Sequence, residues 1–281
     1  MPPLEKSSAA PPSYMLGHSE HELARLIRQA KLVNPMTRRY FKRSGIGPGM
    51  RVLDIGSGAG DTALLAAELV VPTGQVVGID RSAMALTTAR FRAKDRSFRH
   101  VDFLEGEPGT VTFDRPFDAI VGRYVLMFQQ DPVAVLRDAL KHLKPGGIVV
   151  FHEVDWASVR TYPRVPIWEE ASRWITDAAA ESGADCRMGI KLHATYLAAG
   201  LPPPDIGLET LIGTGEDLER IRFITEIVET MAPRIQELGI ATAEGMDLGT
   251  LDQRIAAQAM AVNGVMVGRA EIGAWCRKGM S

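Results

Sequence analysis

The sequence is poor in cysteine, in excess charge and in long apolar runs. Its 281 residues include two cysteines, Cys186 and Cys276, which lie far apart and form no CxxC or Cys/His ligand spacing. We therefore expect reduced thiols and no metal site. The formal net charge is only −2 and no stripe of Lys or Arg is present, whereas nucleic acid is bound through clustered positive charge. These absences disfavour nucleic acid as a partner.

No apolar run is long enough to cross a bilayer, because polar residues interrupt each one, as Glu68, Gln258 and Asn263 do. Residues 1–13 are rich in Pro, Ser and Ala and lack the apolar stretch of a signal peptide. We expect residues 1–13 to be a flexible tail. We also expect a cytoplasmic protein without a membrane partner. The oligomeric state stays open, with a homodimer as one alternative.

The order of sequence patterns predicts an α/β protein with a doubly wound, Rossmann-like sheet. Helical spacing of apolar residues marks an N-terminal segment over 14–44. Strand and helix patterns then alternate through a core over 45–156, which implies parallel strands joined by right-handed crossovers. We interpret residues 157–281 as a closing antiparallel strand pair with a helical cap inserted at about 213–262. In such sheets, ligands lie beyond the carboxyl ends of the strands.

The clearest motif is VLDIGSGAGD over residues 52–61, a buried strand followed by a glycine-rich turn. Glycines allow a tight turn and let backbone N–H groups approach a ligand, while the carboxylate of Asp54 can attract a cationic amino group. A dinucleotide fingerprint would need a third glycine where this sequence has Asp61. A carboxylate at the start of the next helix would also repel a pyrophosphate.

The next strand, VVGID over 76–80, ends in Asp80, at the distance where ribose-binding acids occur in such folds. A carboxylate there can accept hydrogen bonds from both ribose hydroxyls. The alternative role for Asp80 is a cap for the helix that begins near Ser82.

Five segments together resemble the class I S-adenosylmethionine-dependent methyltransferases, in the group of the ubiquinone and menaquinone C-methyltransferases and of many natural-product enzymes. They occur in the family's order and spacing and cover about half of the chain. The segments are VLDIGSGAG (52–60), VVGID (76–80), VDFLEGE (101–107), FDAIVGRYVLM (117–127) and LKPGG (143–147). The resemblance implies this fold and S-adenosyl-L-methionine as cofactor, and it says little about the substrate.

Position by position, the resemblance implies contacts to each part of the cofactor. The methionine part would lie against Asp54, Gly56, Ser57, Gly58 and Gly60, and the ribose would lie against Asp80. Arg81 would flank the adenine, close to Gly106 and Glu107. Glu107 stands where many relatives have an aspartate, and Glu105 and Asp102 are competing acids. Arg123 would pass near the methionine part, and a helix with Arg25 and Gln29 resembles helices that cover the cofactor's carboxylate.

Methyl transfer needs no nucleophilic side chain, but an acidic O–H or N–H acceptor gains from a general base, worth on the order of 10²–10⁴ in rate. The candidates for catalysis are Tyr124, His152 and Glu153. Histidine has an ordinary pKa of about 6.5. Strand alternation sends His152 and Glu153 to opposite faces, so one of the two is expected to be structural. His18, His21 and His193 are weaker candidates.

A set of large apolar residues in the C-terminal half is expected to line an apolar acceptor pocket or to pack the core. These residues are Trp168, Trp174, Phe223, Met231, Met260 and Met266. The leading hypothesis is methyl transfer to an O, N or C atom of a small, largely apolar molecule. The alternatives are a protein of this fold that binds the cofactor but catalyses another reaction, and a module that senses the cofactor.

Overall fold

A computed structural model describes residues 20–71 and 73–280. The predicted tail and His18 lie outside this part of the chain, and so does the side chain of His21. The first helix, α1 (Glu20–Ser44), ends where Gly45 takes a positive φ of 92°. Glycine adopts this backbone conformation readily, which explains why the helix stops there.

The strands of the described residues form one mixed sheet in the order β3-β2-β1-β4-β5-β8, with β6 and β7 both paired to β8. The first five strands are parallel, and β8 runs antiparallel to β5, β6 and β7. The bounds are β1 (Arg51–Ile55), β2 (Gln75–Asp80), β3 (Val101–Glu105), β4 (Phe117–Arg123), β5 (Leu143–Asp155), β6 (Arg160–Tyr162), β7 (Asp205–Gly213) and β8 (Val265–Arg277). This order confirms the doubly wound sheet and the closing antiparallel pair.

Helices cover both faces of the sheet, and three of them lie between β7 and β8 in sequence. Their bounds are α2 (Asp61–Val70), α3 (Ala83–Asp95), α4 (Pro132–Leu140), α5 (Pro166–Glu181), α6 (Met188–Ala198), α7 (Leu218–Glu237), α8 (Ala243–Met246) and α9 (Leu251–Ala261). The helices α7, α8 and α9 form the helical cap that the sequence predicted. Among residues 20–71 and 73–280, no helix is both long and apolar enough to cross a membrane.

Two local features of the sheet are not evident from the sequence. Residues 144–147, whose Lys-Pro-Gly-Gly sequence is typical of a turn, lie inside β5. The pairing shifts register there, since Phe117 faces Leu143 while Ala119 faces Ile148, so the extra residues form an irregularity within the strand. The three-residue strand β6 was not predicted at all, because three residues are too short to show alternation.

Apolar residues on the two faces of the sheet form two core clusters. One contains Leu53 and Ile55 and extends to the cap helices, and the other contains Val52 and Val76 and packs against α2. Every residue of β1 is buried, as expected for a central parallel strand covered on both sides. Helices therefore occupy the faces, and the carboxyl ends of the strands are left for a ligand.

The helix α1 bridges the sheet and the cap. On the sheet side, Tyr40 donates a 2.7 Å hydrogen bond from its hydroxyl to the backbone oxygen of Glu271, and its ring lies over Gly273. On the cap side, Arg28 Nε lies 2.7 Å from an Oε1 of Glu226 in α7. The residues before β1 thus hold β8 and the cap together.

Replacement of Gly273 by alanine should destabilise the fold, because a Cβ at this position would lie 2.4 Å from ring atoms of Tyr40. Overpacking of this kind costs about 1–3 kcal/mol. Urea unfolding of Gly273→Ala measures the loss. Gly47→Ala is the matched control, because a Cβ there meets no atom within 4 Å. Equal stability of both variants would contradict the tight contact.

Candidate functional site

A cavity of about 870 Å³ opens at the carboxyl ends of β1, β2 and β4. Its walls come from four loops that follow these strands and β3, and from α1, α2, α3 and α4. The residues in the walls include Gln29, Gly56, Ser57, Gly58, Asp61, Asp80, Arg81, Gly106, Glu107, Arg123, Tyr124, Val125 and Phe128. Most of the predicted cofactor-binding residues thus line one cavity, at the edge where parallel strands place ligands.

The glycine turn after β1 forms one wall of the cavity. Gly56 has a φ of 62°, and a Cβ on it would lie 2.7 Å from a methyl group of Val125. The turn is held by a hydrogen bond from the Ser57 N–H to the backbone oxygen of Ile79 and by another from the Gly60 N–H to Ser57. The turn therefore brings backbone close to the cavity at a point where a side chain would not fit.

Asp54 lies at the base of this turn and is fully buried, although it is not itself part of the cavity wall. Neither of its carboxylate oxygens forms a hydrogen bond of normal geometry with the described residues. Burial raises the pKa of this carboxyl well above its usual range. A buried acid without a hydrogen-bond donor is costly, and a cationic group placed beside it would offset that cost.

Asp80 ends β2 on the opposite side of the turn. One oxygen accepts a 2.8 Å hydrogen bond from the Gly58 N–H, and the other accepts a 2.8 Å bond from the Ser82 N–H. The helix cap proper is Ser82, whose hydroxyl accepts from the Ala85 N–H. Each carboxylate oxygen can accept a second bond, so Asp80 is held in place and still able to bind a diol.

The far end of the cavity contains a half-exposed ion pair. Arg81 Nε lies 3.3 Å from an Oε1 of Glu107, which follows Gly106 after β3. The competing acids Glu105 and Asp102 do not line the cavity. The pair joins the loop after β2 to the loop after β3.

Asp61 has a cationic partner that was not expected from the sequence. Asp61 does begin α2 at the cavity, but Arg92 of α3 lies 2.6 Å from it and also donates to the backbone oxygen of Ala59. This partner offsets the negative charge, so repulsion of a pyrophosphate is weaker than the sequence suggested. The sequence pattern did not single out Arg92.

The helix α1 contributes to the same cavity. Arg25 is buried and donates a 2.9 Å hydrogen bond to the side chain of Gln29, which lines the cavity. One turn further, Asn34 and Thr37 accept hydrogen bonds of 2.7 Å and 3.0 Å from Arg123. The helix therefore fixes the guanidinium of Arg123 against the cavity.

A buried polar network lies behind Tyr124. Its hydroxyl donates a 2.6 Å hydrogen bond to Glu271 and accepts one of 3.1 Å from Arg269. Arg269 also donates to the other oxygen of Glu271, at 2.9 Å. His152 completes the network, with Nε2 2.9 Å from Glu271 and Nδ1 3.0 Å from Thr37.

The charges in this network follow from burial and pairing. Arg269 beside it, with the contacts from His152 and Tyr124, holds the pKa of Glu271 down at about 2 against the opposing effect of burial. Burial lowers the pKa of His152 and raises that of Tyr124. The network thus combines one ion pair, Arg269 with Glu271, and a neutral imidazole and phenol.

Glu271 and Arg269 were not predicted from the sequence. They lie two residues apart in VMVGRAEIGAW, an otherwise largely apolar strand, and both are buried. Two opposite charges two residues apart inside an apolar strand share one face, and that spacing could have marked them as a buried pair.

The three catalytic candidates differ in position. Tyr124 lies in the cavity wall with an unusual φ of 56°, whereas His152 and Glu153 are fully buried and do not line the cavity. His152 contacts α1 and β8, and Glu153 contacts the loop after β4. Their different partners agree with the predicted alternation.

Glu153 supports the loop that carries Tyr124. One carboxylate oxygen accepts hydrogen bonds of 2.9 Å and 2.8 Å from the N–H groups of Val125 and Leu126. Burial raises the pKa of Glu153 to about 8. A neutral carboxyl can still accept both bonds through its carbonyl oxygen.

The expected apolar pocket is only partly assembled. Trp168, Phe223 and Met266 line a common small cavity, while Trp174 and Met231 are buried in the core. Met260 is 51% exposed on α9, so its expected place in a pocket was wrong. His193 is exposed on α6, away from the cavity.

A model of the methyltransferase domain family matches residues 46–195, and the chain belongs to this family. It is 33% identical over 134 residues to a demethylmenaquinone methyltransferase of Lactococcus lactis subsp. lactis, covering 47% of this chain and 51% of that protein. It is also 33% identical over 174 residues to a 2-phytyl-1,4-naphtoquinone methyltransferase of Trichormus variabilis, covering 60% and 72%. The chain thus spans about half the length of the first of these relatives.

The fold also matches solved structures. The crystal structure of a putative methyltransferase from Bacillus halodurans superposes with a TM-score of 0.58 at 16% identity, covering 86% of this chain and 98% of that one. This likeness confirms the class I methyltransferase fold. Together with the quinone methyltransferase relatives, it confirms the family that the motifs indicated.

Replacement of Glu153 by glutamine should preserve the loop, while replacement by alanine should not. Glutamine keeps a carbonyl oxygen for the two N–H groups, whereas alanine leaves both unpaired, at about 1–3 kcal/mol each. Chemical unfolding of the two variants measures the difference. Equal losses in both would contradict the supporting role.

The wild type and Glu153→Gln should also differ in how their stability depends on pH. Between about pH 5 and 8 the unfolded chain has lost the Glu153 proton while the folded chain retains it, because the folded pKa is raised from 4.5 to about 8. The stability of the wild type should therefore fall as pH rises through this window. Glu153→Gln lacks this titration and should gain stability relative to the wild type over the same range, as measured by unfolding at each pH.

Proposed function

We propose that this protein transfers a methyl group from S-adenosyl-L-methionine to an O, N or C atom of a small, largely apolar molecule. The observation that carries the proposal is the juxtaposition of a glycine turn, the buried Asp54, whose oxygens form no hydrogen bond of normal geometry with the described residues, and the strand-end Asp80 around one cavity. A sulfonium amino acid joined to a nucleoside offers a cationic amino group and a ribose diol to these acids. The family membership supports the same cofactor.

We assign the parts of the cavity as follows. Gly56, Ser57, Gly58 and Gly60 would hold the methionine part, with Asp54 countering its positive charge, and Asp80 would accept from the ribose hydroxyls. Arg81, Gly106 and Glu107 would enclose the adenine. Arg123, together with Arg25 and Gln29 from α1, would face the methionine carboxylate. When bound, the cofactor supplies an electrophilic methyl group.

The chain's own contribution to the chemistry is positioning. Displacement at a methyl group needs the acceptor atom in line with the bond that breaks, and orientation of this kind can contribute about 7–11 kcal/mol to the barrier reduction. Tyr124 lies in the cavity wall with its hydroxyl held by Glu271 and Arg269. We propose that Tyr124 contacts the acceptor, and that His152 and Glu153 keep Tyr124 and its loop in place.

The core and the cap would bind different molecules. We propose that residues 45–156, with Arg25 and Gln29 of α1, bind the cofactor and that the cap helices close over the acceptor. Two relatives are named as methyltransferases of demethylmenaquinone and of a phytyl naphthoquinone. A bicyclic ring with an apolar chain is therefore the first acceptor to test.

The test is transfer of a labelled methyl group from S-adenosylmethionine to a panel of prenylated naphthohydroquinones, phenols and aromatic amines. A labelled product establishes the reaction and identifies the acceptor. Tight cofactor binding without transfer to any acceptor would favour the alternative, a fold member with another reaction or a sensing role. Absence of cofactor binding to folded protein would contradict both.

Asp80→Asn should weaken binding of S-adenosylhomocysteine, which shares the ribose, because one oxygen able to accept from the diol is lost. A hydrogen bond to a charged group is worth about 1.5–3 kcal/mol, so roughly a tenfold to hundredfold loss is expected by calorimetry. Asp102→Asn is the control, since Asp102 is exposed on β3 outside the cavity. Equal affinities of the two folded variants would refute the assignment.

A further inference from the structure

A second, small cavity lies under the cap, with a volume of about 20 Å³. Trp168 of α5, Phe223 and Ile224 of α7, and Met266 of β8 provide its apolar walls. Arg269 and Glu271 of β8 and Arg220 of α7 provide its charged side chains. A space of about 10–15 Å³ holds one water molecule, so this cavity has room for one oxygen-sized group.

One wall of this cavity contains a donor without an acceptor. Trp168 is 3% exposed, and its indole Nε1–H has no hydrogen-bond partner among the described residues. A buried, unpaired N–H costs about 1–3 kcal/mol. The cavity beside it is the available place for an acceptor atom.

The polar side of the cavity also offers donors. Arg269 uses its Nε on Glu271 and one Nη2 proton on Tyr124, which leaves further N–H groups of the guanidinium. The oxygens of Glu271 are both engaged, one by Arg269 and the other by Tyr124 and His152. The rings of Tyr124, Trp156 and Phe223 lie 5.0–5.1 Å from the guanidinium carbon and hold it in place.

The walls of the small and large cavities are joined by hydrogen bonds. Tyr124 lines the large cavity, and its hydroxyl bonds to Arg269 and Glu271, which line the small one. These three side chains therefore link the two spaces. A molecule that reaches the cofactor from under the cap would pass this polar group.

We propose that the small cavity is an oxygen-binding subsite for the methyl acceptor, in which Trp168 Nε1–H and Arg269 donate to one carbonyl, hydroxyl or phenolate oxygen of an otherwise apolar molecule. The proposal rests on the proposed function, because it assumes that an acceptor binds between the cap and the cofactor cavity. The donor-rich lining selects an oxygen over a further apolar group. The competing explanation is a single structural water that serves only to pair the indole.

The first experiment observes the indole directly. The chain has four tryptophans, so protein labelled with ¹⁵N-tryptophan and loaded with S-adenosylhomocysteine gives few indole signals, and Trp168→Phe assigns the one from Trp168. The probe is 2-prenyl-1,4-naphthohydroquinone, kept reduced, followed by the phenols of the panel. We expect the Trp168 signal to move downfield on titration, while the Trp174 signal stays in place.

The second experiment uses the acceptor that the panel identifies. Trp168→Phe keeps the aromatic ring and removes the N–H, so we expect KM for the acceptor to rise roughly threefold to tenfold with kcat and cofactor affinity unchanged. Trp174→Phe is the control, because Trp174 is also buried but does not line the cavity. A shift of the indole signal without methyl transfer would support the subsite and count against the proposed function.

A Trp168 signal that no member of the panel moves overturns the proposal. So does a Trp168→Phe protein that loses thermal stability but keeps the KM of the wild type, because that result identifies a structural water. The first outcome stands whether or not methyl transfer has been observed, and the second applies once the panel has identified an acceptor.

Discussion

A carboxylate buried away from water must be matched by donors on every side, and Glu271 imposes this constraint on the molecule. Its partners come from three separate elements: Tyr124 after β4, His152 on β5 and Arg269 on β8 itself. The helix α1 adds Thr37 against His152 and Tyr40 against the backbone of Glu271. Removing one partner from such a group is far more costly than the pair is stabilising, so these elements are tied to one arrangement.

The two ends of the site are built on different physical bases. Around the large cavity, backbone conformation dominates, through the glycine turn and the strand-end carboxylates of Asp54 and Asp80. Around the small cavity, side chains of the cap and of β8 dominate, with aromatic rings around Arg269. The family model covers residues 46–195, which include the glycine turn, and stops before the cap. Under the proposed function, residues outside the family model would therefore determine which acceptor binds.

The sequence predicted the sheet, its closing strand pair, the cap and the glycine turn, because these depend on short-range periodicity and on turn chemistry. The resemblance to the methyltransferase family also implied that Asp80, Glu107 and Arg123 surround one ligand, and these three residues line one cavity. The sequence did not reveal Arg92 opposite Asp61 or Glu271 behind Tyr124, which lie 31 and 147 residues apart from their partners in the chain. Single-sequence patterns contain no record of such distant contacts. The register irregularity in β5 was hidden for the same reason.

The contact between Arg28 and Glu226 shows how unevenly α1 is held. It joins α1, which borders the large cavity through Gln29, to α7, which lines the small cavity. Exposed ion pairs of this kind are worth only about 0–1 kcal/mol and weaken in salt. The link between α1 and α7 is therefore weak and weakens further as ionic strength rises, so α1 is anchored mainly by its buried contacts with the sheet.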